Sequence, residues 1–385
     1  MARIAASVSS HAIPDSAAPA AAAAARPRLT VIVPVHNGRL QLPRCLDALL
    51  VSDYTNFEVI VADDCSTDNT REIAEGFGAR YVRTARNMGP GGARNLAARH
   101  AEGDILAFVD SDVVVPPEAL GVIAEDFDRD PDLASLFGSY DTEPAWPDFL
   151  SQYKNLMHHY VHQISKEDAS TFWAGCGAIR REVFTEFGGF DLKKYPKPSI
   201  EDIELGFRMW RAGRRILLEK RLQVKHLKKW TVRGLLRADI LLRAVPWTRL
   251  ILQSKSLPRD LNLTHAAQAS AVLSWLLAIA LLALPTVAAG LLTGIAPWLT
   301  ATRLALAVLF IIAALLVLNR EVYAWFVRQR GWRFAAGAVL AHWAYYLYSA
   351  AVFGVLWIEH VLTQPWRARA GKPAQPTKLS EESQK

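Results

Sequence analysis

Cysteine is scarce in this chain: there are three, Cys45, Cys65 and Cys176, far apart and odd in number. No C-x-x-C spacing or Cys/His cluster accompanies them, so neither a disulfide framework nor a structural zinc site is indicated, and buried thiols in a reducing compartment are expected. A Leu-rich apolar core is missing from residues 1–27, where six alanines (20–25) occur and Pro14 and Pro19 interrupt the stretch. That stretch reads as a disordered lead-in rather than a secretory signal. Charge is also missing, but only late in the chain. Residues 266–302 and 304–319 carry none, and 334–358 carry only His342 as a titratable group. A spanning helix needs roughly 20 apolar residues, which predicts helices near 268–290, 298–319 and 335–360 in a membrane region 263–362, with Arg303 snorkelling. The first stretch is long enough that four helices is the alternative count. The basic loop Arg320–Arg333 and the basic, polar tail 363–385 (Arg367, Arg369, Lys372) both favour the inner side. An even number of crossings would satisfy them, and three does not.

The remaining charge is uneven. The net +7 concentrates between Arg208 and Arg259, just ahead of the apolar segments. Arg233, Arg237, Arg243 and Arg249 alternate with Leu235, Leu236, Ile240, Leu241, Trp247 and Ile251. Basic residues spaced among apolar ones suit helices lying in a membrane interface over 231–262, interrupted by Pro246. Packing on a soluble domain is the competing reading. The neighbouring apolar segments favour anionic headgroups over nucleic acid as the partner.

Before residue 231 the chain alternates strands and helices. Leu29–Val35 is a β-branched strand ended by His36-Asn37-Gly38, and Leu42–Leu50 repeats at helical spacing. Phe57–Ala62 runs into Asp63-Asp64, and Ser66-Thr67-Asp68 can cap a helix Asn69–Phe77. Arg80–Arg83 is a third strand, and a glycine-rich turn opens the helix Ala93–Ala101. Ile105–Val109 delivers Asp110-Ser111-Asp112, and Glu201-Asp202 opens a later helix. This alternation predicts an α/β domain over 28–230 with a mostly parallel sheet. Ligands of such sheets sit at the carboxyl ends of the strands, where the first two acidic groups fall.

Two carboxylates spaced D-x-D after a buried strand suit a divalent cation (Mg²⁺ or Mn²⁺) on a departing diphosphate; the plain alternative is a turn cap. Asp202 is the candidate general base, because a hydroxyl nucleophile has a very high pKa and a positioned carboxylate contributes about 10²–10⁴-fold. Arg94, at the start of the glycine-opened helix, is placed to face a phosphate or ribose. His158, His159 and His162 share a helical face and match no motif.

His36-Asn37 after the first strand, Asp63-Asp64-Cys65-Ser66-Thr67-Asp68, Gly92-Ala93-Arg94-Asn95, Asp110-Ser111-Asp112, Phe187-Gly188-Gly189-Phe190-Asp191 and Glu201-Asp202-Ile203-Glu204-Leu205 occur in that order. Together they resemble the family 2 inverting glycosyltransferases over residues 29 to about 230. The resemblance implies a GT-A fold, a nucleotide-sugar donor and a divalent metal. It implies donor contacts from Pro34, Asp63, Asp64, Arg94, Asp110 and Lys229, and metal contacts from Asp110, Asp112 and His226. Asp202 would be the base, and Glu201 and Trp230 would face the acceptor. Cys65 stands where the family usually has glycine. His226-Leu227-Lys228-Lys229-Trp230 has the spacing of the Q-x-x-R-W motif of processive synthases, with two of its three residues changed. The implied enzyme is a multi-pass protein of the bacterial inner membrane with a cytoplasmic catalytic domain, acting on a hydroxyl of a lipid or lipid-linked acceptor. A polyprenyl-phosphate glycosyltransferase, a small polysaccharide synthase and a nucleotide-binding scaffold or transporter are the alternatives. No nucleic-acid partner is implied.

Overall fold

The computed structural model describes residues 28–254, 264–292 and 298–370. The expected lead-in, the end of the interface segment and most of the tail lie outside them. Eight strands form one sheet: β1 (Leu29–Val35), β2 (Phe57–Asp63), β3 (Arg80–Arg83), β4 (Ile105–Val109), β5 (Val113–Val114), β6 (Leu133–Tyr140), β7 (Cys176–Arg180) and β8 (Arg215–His226). Their order is β3-β2-β1-β4-β7-β6-β8-β5.

Strand β1 explains the plan. Val31, Val33 and Val35 join the apolar cluster on one face of the sheet, and Ile32 joins the cluster on the other. A strand buried on both faces reads as a continuous β-branched run rather than an alternating one. β1 pairs in parallel with both β2 and β4. The chain steps outward from β1 to β2 and β3, then returns to β4 on the other side. That reversal opens a crevice at the carboxyl ends of β1 and β4. Beyond β4 the sheet is mixed: β7 runs antiparallel to β4 and β6, whereas β6 and β8 are parallel. The four early strands match the sequence reading; the mixed half carries no comparable alternation of motif.

Helices cover both faces: α1 (Leu42–Leu50), α2 (Thr70–Gly76), α3 (Gly89–Ala98), α4 (Ala119–Arg129), α5 (Phe149–Ile164), α6 (Arg181–Glu186) and α7 (Glu201–Arg211). A Cβ at Gly206 would come within 2.1 Å of the Phe172 backbone nitrogen. Glycine there lets α7 lie directly on the segment that leads into β7.

After β8 come α8 (Val232–Leu236), a π-helical stretch (Arg237–Ala244) and α9 (Val245–Ser254). The expected interruption at Pro246 is not seen: the helical run continues from Val232 to Ser254, and Pro246 follows directly on the π-helical stretch. Leu250 of α9 packs with Phe207 of α7, while Val232 and Leu241 remain exposed. These helices therefore pack on the catalytic unit by one side and present apolar residues on the other. The last helices are α10 (His265–Leu292), α11 (Trp298–Leu318) and α12 (Arg320–Ala370).

Among the described residues three helices are long and apolar enough to cross a membrane, over His265–Val287, Thr300–Leu318 and Arg320–Thr363. α10 and α11 form a hairpin: Asn319, just past the end of α11, donates its side-chain N–H to Ser270 Oγ near the start of α10 (2.9 Å). α12 is broken at Gly331 (φ 81°, ψ 170°). Its first part, expected to be a basic loop, is a helix docked on α5, with Phe326 against Tyr153 (ring centroids 6.0 Å) and Trp325 against Tyr160 (5.3 Å). The apolar stripe among its arginines makes it helical.

Candidate active site

The two early aspartates are buried and bonded within the chain. Asp63 Oδ1 accepts the backbone N–H (2.9 Å) and hydroxyl of Ser66, and Oδ2 accepts the Tyr81 hydroxyl at 2.5 Å. Asp64 Oδ1 accepts from Met88 N (2.7 Å) and Thr84 Oγ1 (3.0 Å), and Oδ2 from Gly89 N (2.7 Å). Asp64 thus ties the end of β2 to the opening of α3, where Gly89 takes φ +77° with Pro198 against it. The expectation that this pair contacts a donor meets carboxylates already taken by backbone and hydroxyl donors. Cys65, next in the chain, has φ +66°. The shape that glycine would give is therefore kept, at the steric cost of an L-residue in the left-handed region. Pro34 is likewise an interior residue of β1, buried and paired with Ala62.

The later carboxylates behave differently. Asp110 and Asp112 come after β4 and remain about a third exposed, at 34% and 29% of the side chain. The Trp173–Gly175 turn before β7 links them to Asp202: Asp110 N–H donates to Gly175 O (3.0 Å), and Ala174 N–H donates to Asp202 Oδ2 (3.0 Å). Asp112 Oδ2 lies 3.6 Å from His226 Nε2, because β5 pairs Val113 with His226. The His226 ring stacks on Tyr140 at 4.2 Å, and Tyr140 meets Trp173 edge-on at 5.0 Å. The structure thus brings Asp110, Asp112, Asp202 and His226 to one end of the sheet around Tyr140. Burial first, then the charges of Asp112, Asp110 and Asp202, push the Tyr140 phenol well above its ordinary range. Burial, reinforced by Asp112 and Asp202 and opposed by Arg94, raises the Asp110 carboxyl. For Asp112 burial acts in the same sense, but it is outweighed by His226 and Lys228, and that carboxyl is lowered.

Other residues expected to touch donor or acceptor are engaged within the chain. Arg94 is not at the surface: only 4% exposed, it donates from Nη2 to Asp110 Oδ1 (2.5 Å) and lies 3.8 Å from Glu201 Oε1. Its guanidinium positions Asp110 and has no open side for a phosphate. Glu201 is 5% exposed and accepts from Ser199 N at 2.8 Å, so it faces Arg94 and not an acceptor. Trp230 is 7% exposed beneath Lys228, which removes its ring as a sugar platform. Lys229 lies over Trp146, 4.7 Å from its centroid; the lysine whose charge acts on Asp112 is Lys228. The three histidines of α5 point inward: His159 and His162 bond the Tyr140 and Gly138 carbonyls (2.7 and 3.0 Å), and His158 lies 4.4 Å from Tyr140. Burial holds His162 down to about 4.

Sequence reading missed Tyr140, Trp173 and the 173–175 turn. The available signal was Gly175 after a tryptophan, since a Cβ there would come 2.4 Å from the Trp173 ring.

Among the described residues no group of three His, Cys, Asp or Glu side chains converges on one point that a metal would occupy. The donor chemistry of Asp110, Asp112 and His226 fits a hard divalent cation all the same. Mg²⁺ commonly takes one or two carboxylates and completes its shell with water and substrate phosphates, so such a site is incomplete before the donor arrives. A surface depression of about 1260 Å³, lined by Asn95, Asp104, Arg181 and Thr185 among others, is at the opposite end of β4 and holds none of these residues.

The glycosyl transferase family 2 model matches residues 30–188. An uncharacterized glycosyltransferase of Haemophilus influenzae is 27% identical over 188 residues, covering 46% of this chain and 60% of the relative. The poly(ribitol-phosphate) beta-N-acetylglucosaminyltransferase TarS of Staphylococcus aureus is 38% identical over 100 residues, covering 24% of this chain and 18% of that protein. The chain thus spans less than two thirds of either relative. Among solved structures, a mannosyltransferase from Pyrobaculum calidifontis in complex with GDP-Man and Mn²⁺ is 21% identical at a TM-score of 0.47, with 86% of this chain and 88% of that one covered. The matched residues run from β1 through α6 of the mixed, Rossmann-like sheet, and over that stretch the chain is similar to the glycosyl transferase family 2.

Proposed function

We propose that the chain is a membrane-bound inverting glycosyltransferase that moves a sugar from a nucleotide-sugar to a hydroxyl of a lipid or lipid-linked acceptor. The supporting observation is the Trp173–Gly175 turn, which ties Asp110 and Asp202 to adjacent backbone atoms at the open end of the sheet. Asp202 accepts backbone N–H bonds from Ala174 and Ile203, which fix the orientation of its carboxylate. In the proposed step Asp202 accepts the acceptor's hydroxyl proton. The freed oxygen bonds to the sugar's anomeric carbon as that carbon's bond to the diphosphate breaks on the opposite side, inverting the centre. A bound Mg²⁺ or Mn²⁺ would neutralise the departing diphosphate; Asp112 and His226, with Asp110, are the residues that would hold it. Arg94 keeps Asp110 oriented toward that position.

The membrane part of the reading rests on three apolar helices and on the exposed apolar residues of α8 and the π-helical stretch. The proposed location is the bacterial inner membrane with the catalytic domain cytoplasmic, where nucleotide-sugars are made. The test is release of nucleoside diphosphate from a panel of UDP-, GDP- and dTDP-sugars. It uses full-length protein in detergent with Mn²⁺ or Mg²⁺, with and without bacterial lipid extract. Metal- and lipid-dependent release by wild type, absent from Asp112→Ala, is expected. Donor binding without release from any sugar, by folded protein, would move the reading to a binding scaffold.

A further inference from the structure

α12 qualifies as a spanning helix by length and composition, yet its contacts run along the catalytic unit from end to end. Gly337 lies against Phe149 at the start of α5: a Cβ there would come 2.8 Å from that ring. Tyr348 donates its hydroxyl to Asp239 Oδ2 of the π-helical stretch (2.7 Å), and Asp239 Oδ1 pairs with Lys154 of α5 at 2.5 Å. Glu359 lies 3.8 Å from Arg249 of α9, whose neighbour Leu250 packs on α7. From Gly337 to Glu359 is 22 residues, about 33 Å at 1.5 Å per residue. The hydrocarbon core is about 30 Å thick. A helix that crossed it could not touch the water-facing domain at both ends of that distance.

The α10–α11 hairpin also touches α12. Tyr346 donates to Asn319 Oδ1, just past the end of α11 (2.9 Å). Trp275, in the first half of α10, donates from its indole to Leu347 O (3.1 Å), and Trp343 packs with the cluster of Leu277, Val308 and Leu315.

We propose that α12 beyond Gly331 lies in the membrane surface beneath the catalytic domain, and that the chain crosses the bilayer twice, by the α10–α11 hairpin alone. α12 is apolar around its circumference beyond Gly331, with Leu340, Val355 and Leu362 at 68%, 66% and 68% exposure. Its placement rests on the contacts of Gly337, Tyr348 and Glu359 with the catalytic unit. Two crossings return the tail to the catalytic side. The basic residues Arg367, Arg369 and Lys372 then share a side with Arg328 and Arg330, as the positive-inside rule asks, and the mismatch with three crossings disappears.

The experiment places single cysteines at Leu340, Val355 and Leu362 in full-length protein carrying Cys65→Ser, with Leu309→Cys in α11 as reference. Each is labelled with a fluorophore and quenched by lipids carrying a quencher at known acyl depths in phosphatidylglycerol/phosphatidylcholine vesicles. All four positions are exposed, so the substitutions spare the packing. The same shallow depth for the three α12 positions, with Leu309 deep, is expected. Depths that pass from one leaflet through the centre to the other would overturn the proposal. In sealed, oriented vesicles, a protease-cleavable tag fused after Lys385 is expected on the same side as a cysteine replacing Glu72 of α2; opposite sides would overturn it equally. No quenching at any position, Leu309 included, would instead remove membrane insertion altogether, and the membrane-bound reading with it.

Discussion

Asp63-Asp64 and Asp110-Ser111-Asp112 look alike in sequence, each an acidic group ending a buried parallel strand, but their surroundings are opposite. Asp63 and Asp64 are 1% and 3% exposed and accept hydrogen bonds from Ser66, Tyr81, Thr84, Met88 and Gly89. Asp110 and Asp112 keep about a third of their side chains open, with Arg94 and His226 as their respective ion-pair-distance partners. The neighbouring segments make the difference. A carboxylate next to a loop rich in backbone and hydroxyl donors is absorbed into the fold. One next to a two-residue strand has fewer donors within reach and stays available.

The largest expected effect sharpens the open side of the comparison. Asp202→Asn lowers turnover about 10²–10⁴-fold, the usual worth of a positioned base, at a stability cost of about 1–3 kcal/mol because one backbone N–H loses its acceptor. Parallel rate and denaturation measurements check this, and retained turnover would remove Asp202 from the chemistry. On the closed side, Asp64→Ala strands buried donors and costs about 3 kcal/mol of stability, since hydrogen bonds to charged groups are each worth about 1.5–3 kcal/mol. Urea denaturation reads it; a stable protein with weakened donor binding would return Asp64 to the binding role.

A smaller effect concerns the histidines behind the site. His162 is held neutral by burial, with its folded pKa down at about 4, below the unfolded value near 6.5. Between those values the unfolded chain binds more protons, so stability falls as pH drops from about 6.5 to about 4, by at most about 1.4 kcal/mol per pH unit for this group. His162→Gln should flatten that slope in thermal melts across the window; an unchanged slope would assign it to other groups. The smallest effect is at Cys65, where relief of the left-handed backbone in Cys65→Gly should stabilise by about 0.5–1 kcal/mol. A loss of stability there would mean that the thiol's contact with Arg83 (3.7 Å) outweighs the strain.

The first half of the sheet was legible in the sequence, because β1, β2 and β4 are buried on both faces and each ends in a polar turn. The placement of Asp110, Asp112, Asp202 and His226 at element ends was legible for the same reason. The roles of Arg94, Glu201 and Trp230 were not. Nothing in their local pattern says that Arg94 is 4% exposed or that Trp230 lies under Lys228, because those facts come from contacts between distant segments. Nor could periodicity separate a spanning helix from one lying beneath a domain, because α12 is apolar enough for either. Only its contacts with Phe149, Asp239 and Arg249 distinguish the two.

The most direct test of the central claim compares Asp112→Asn with Asp64→Asn, measuring metal-dependent release of nucleoside diphosphate at equal folded fraction. Release lost in Asp112→Asn and retained per folded molecule in Asp64→Asn is the predicted result. Release retained in Asp112→Asn, or lost in Asp64→Asn at full folding, would contradict the division between the aspartates that do the chemistry and those that build the fold.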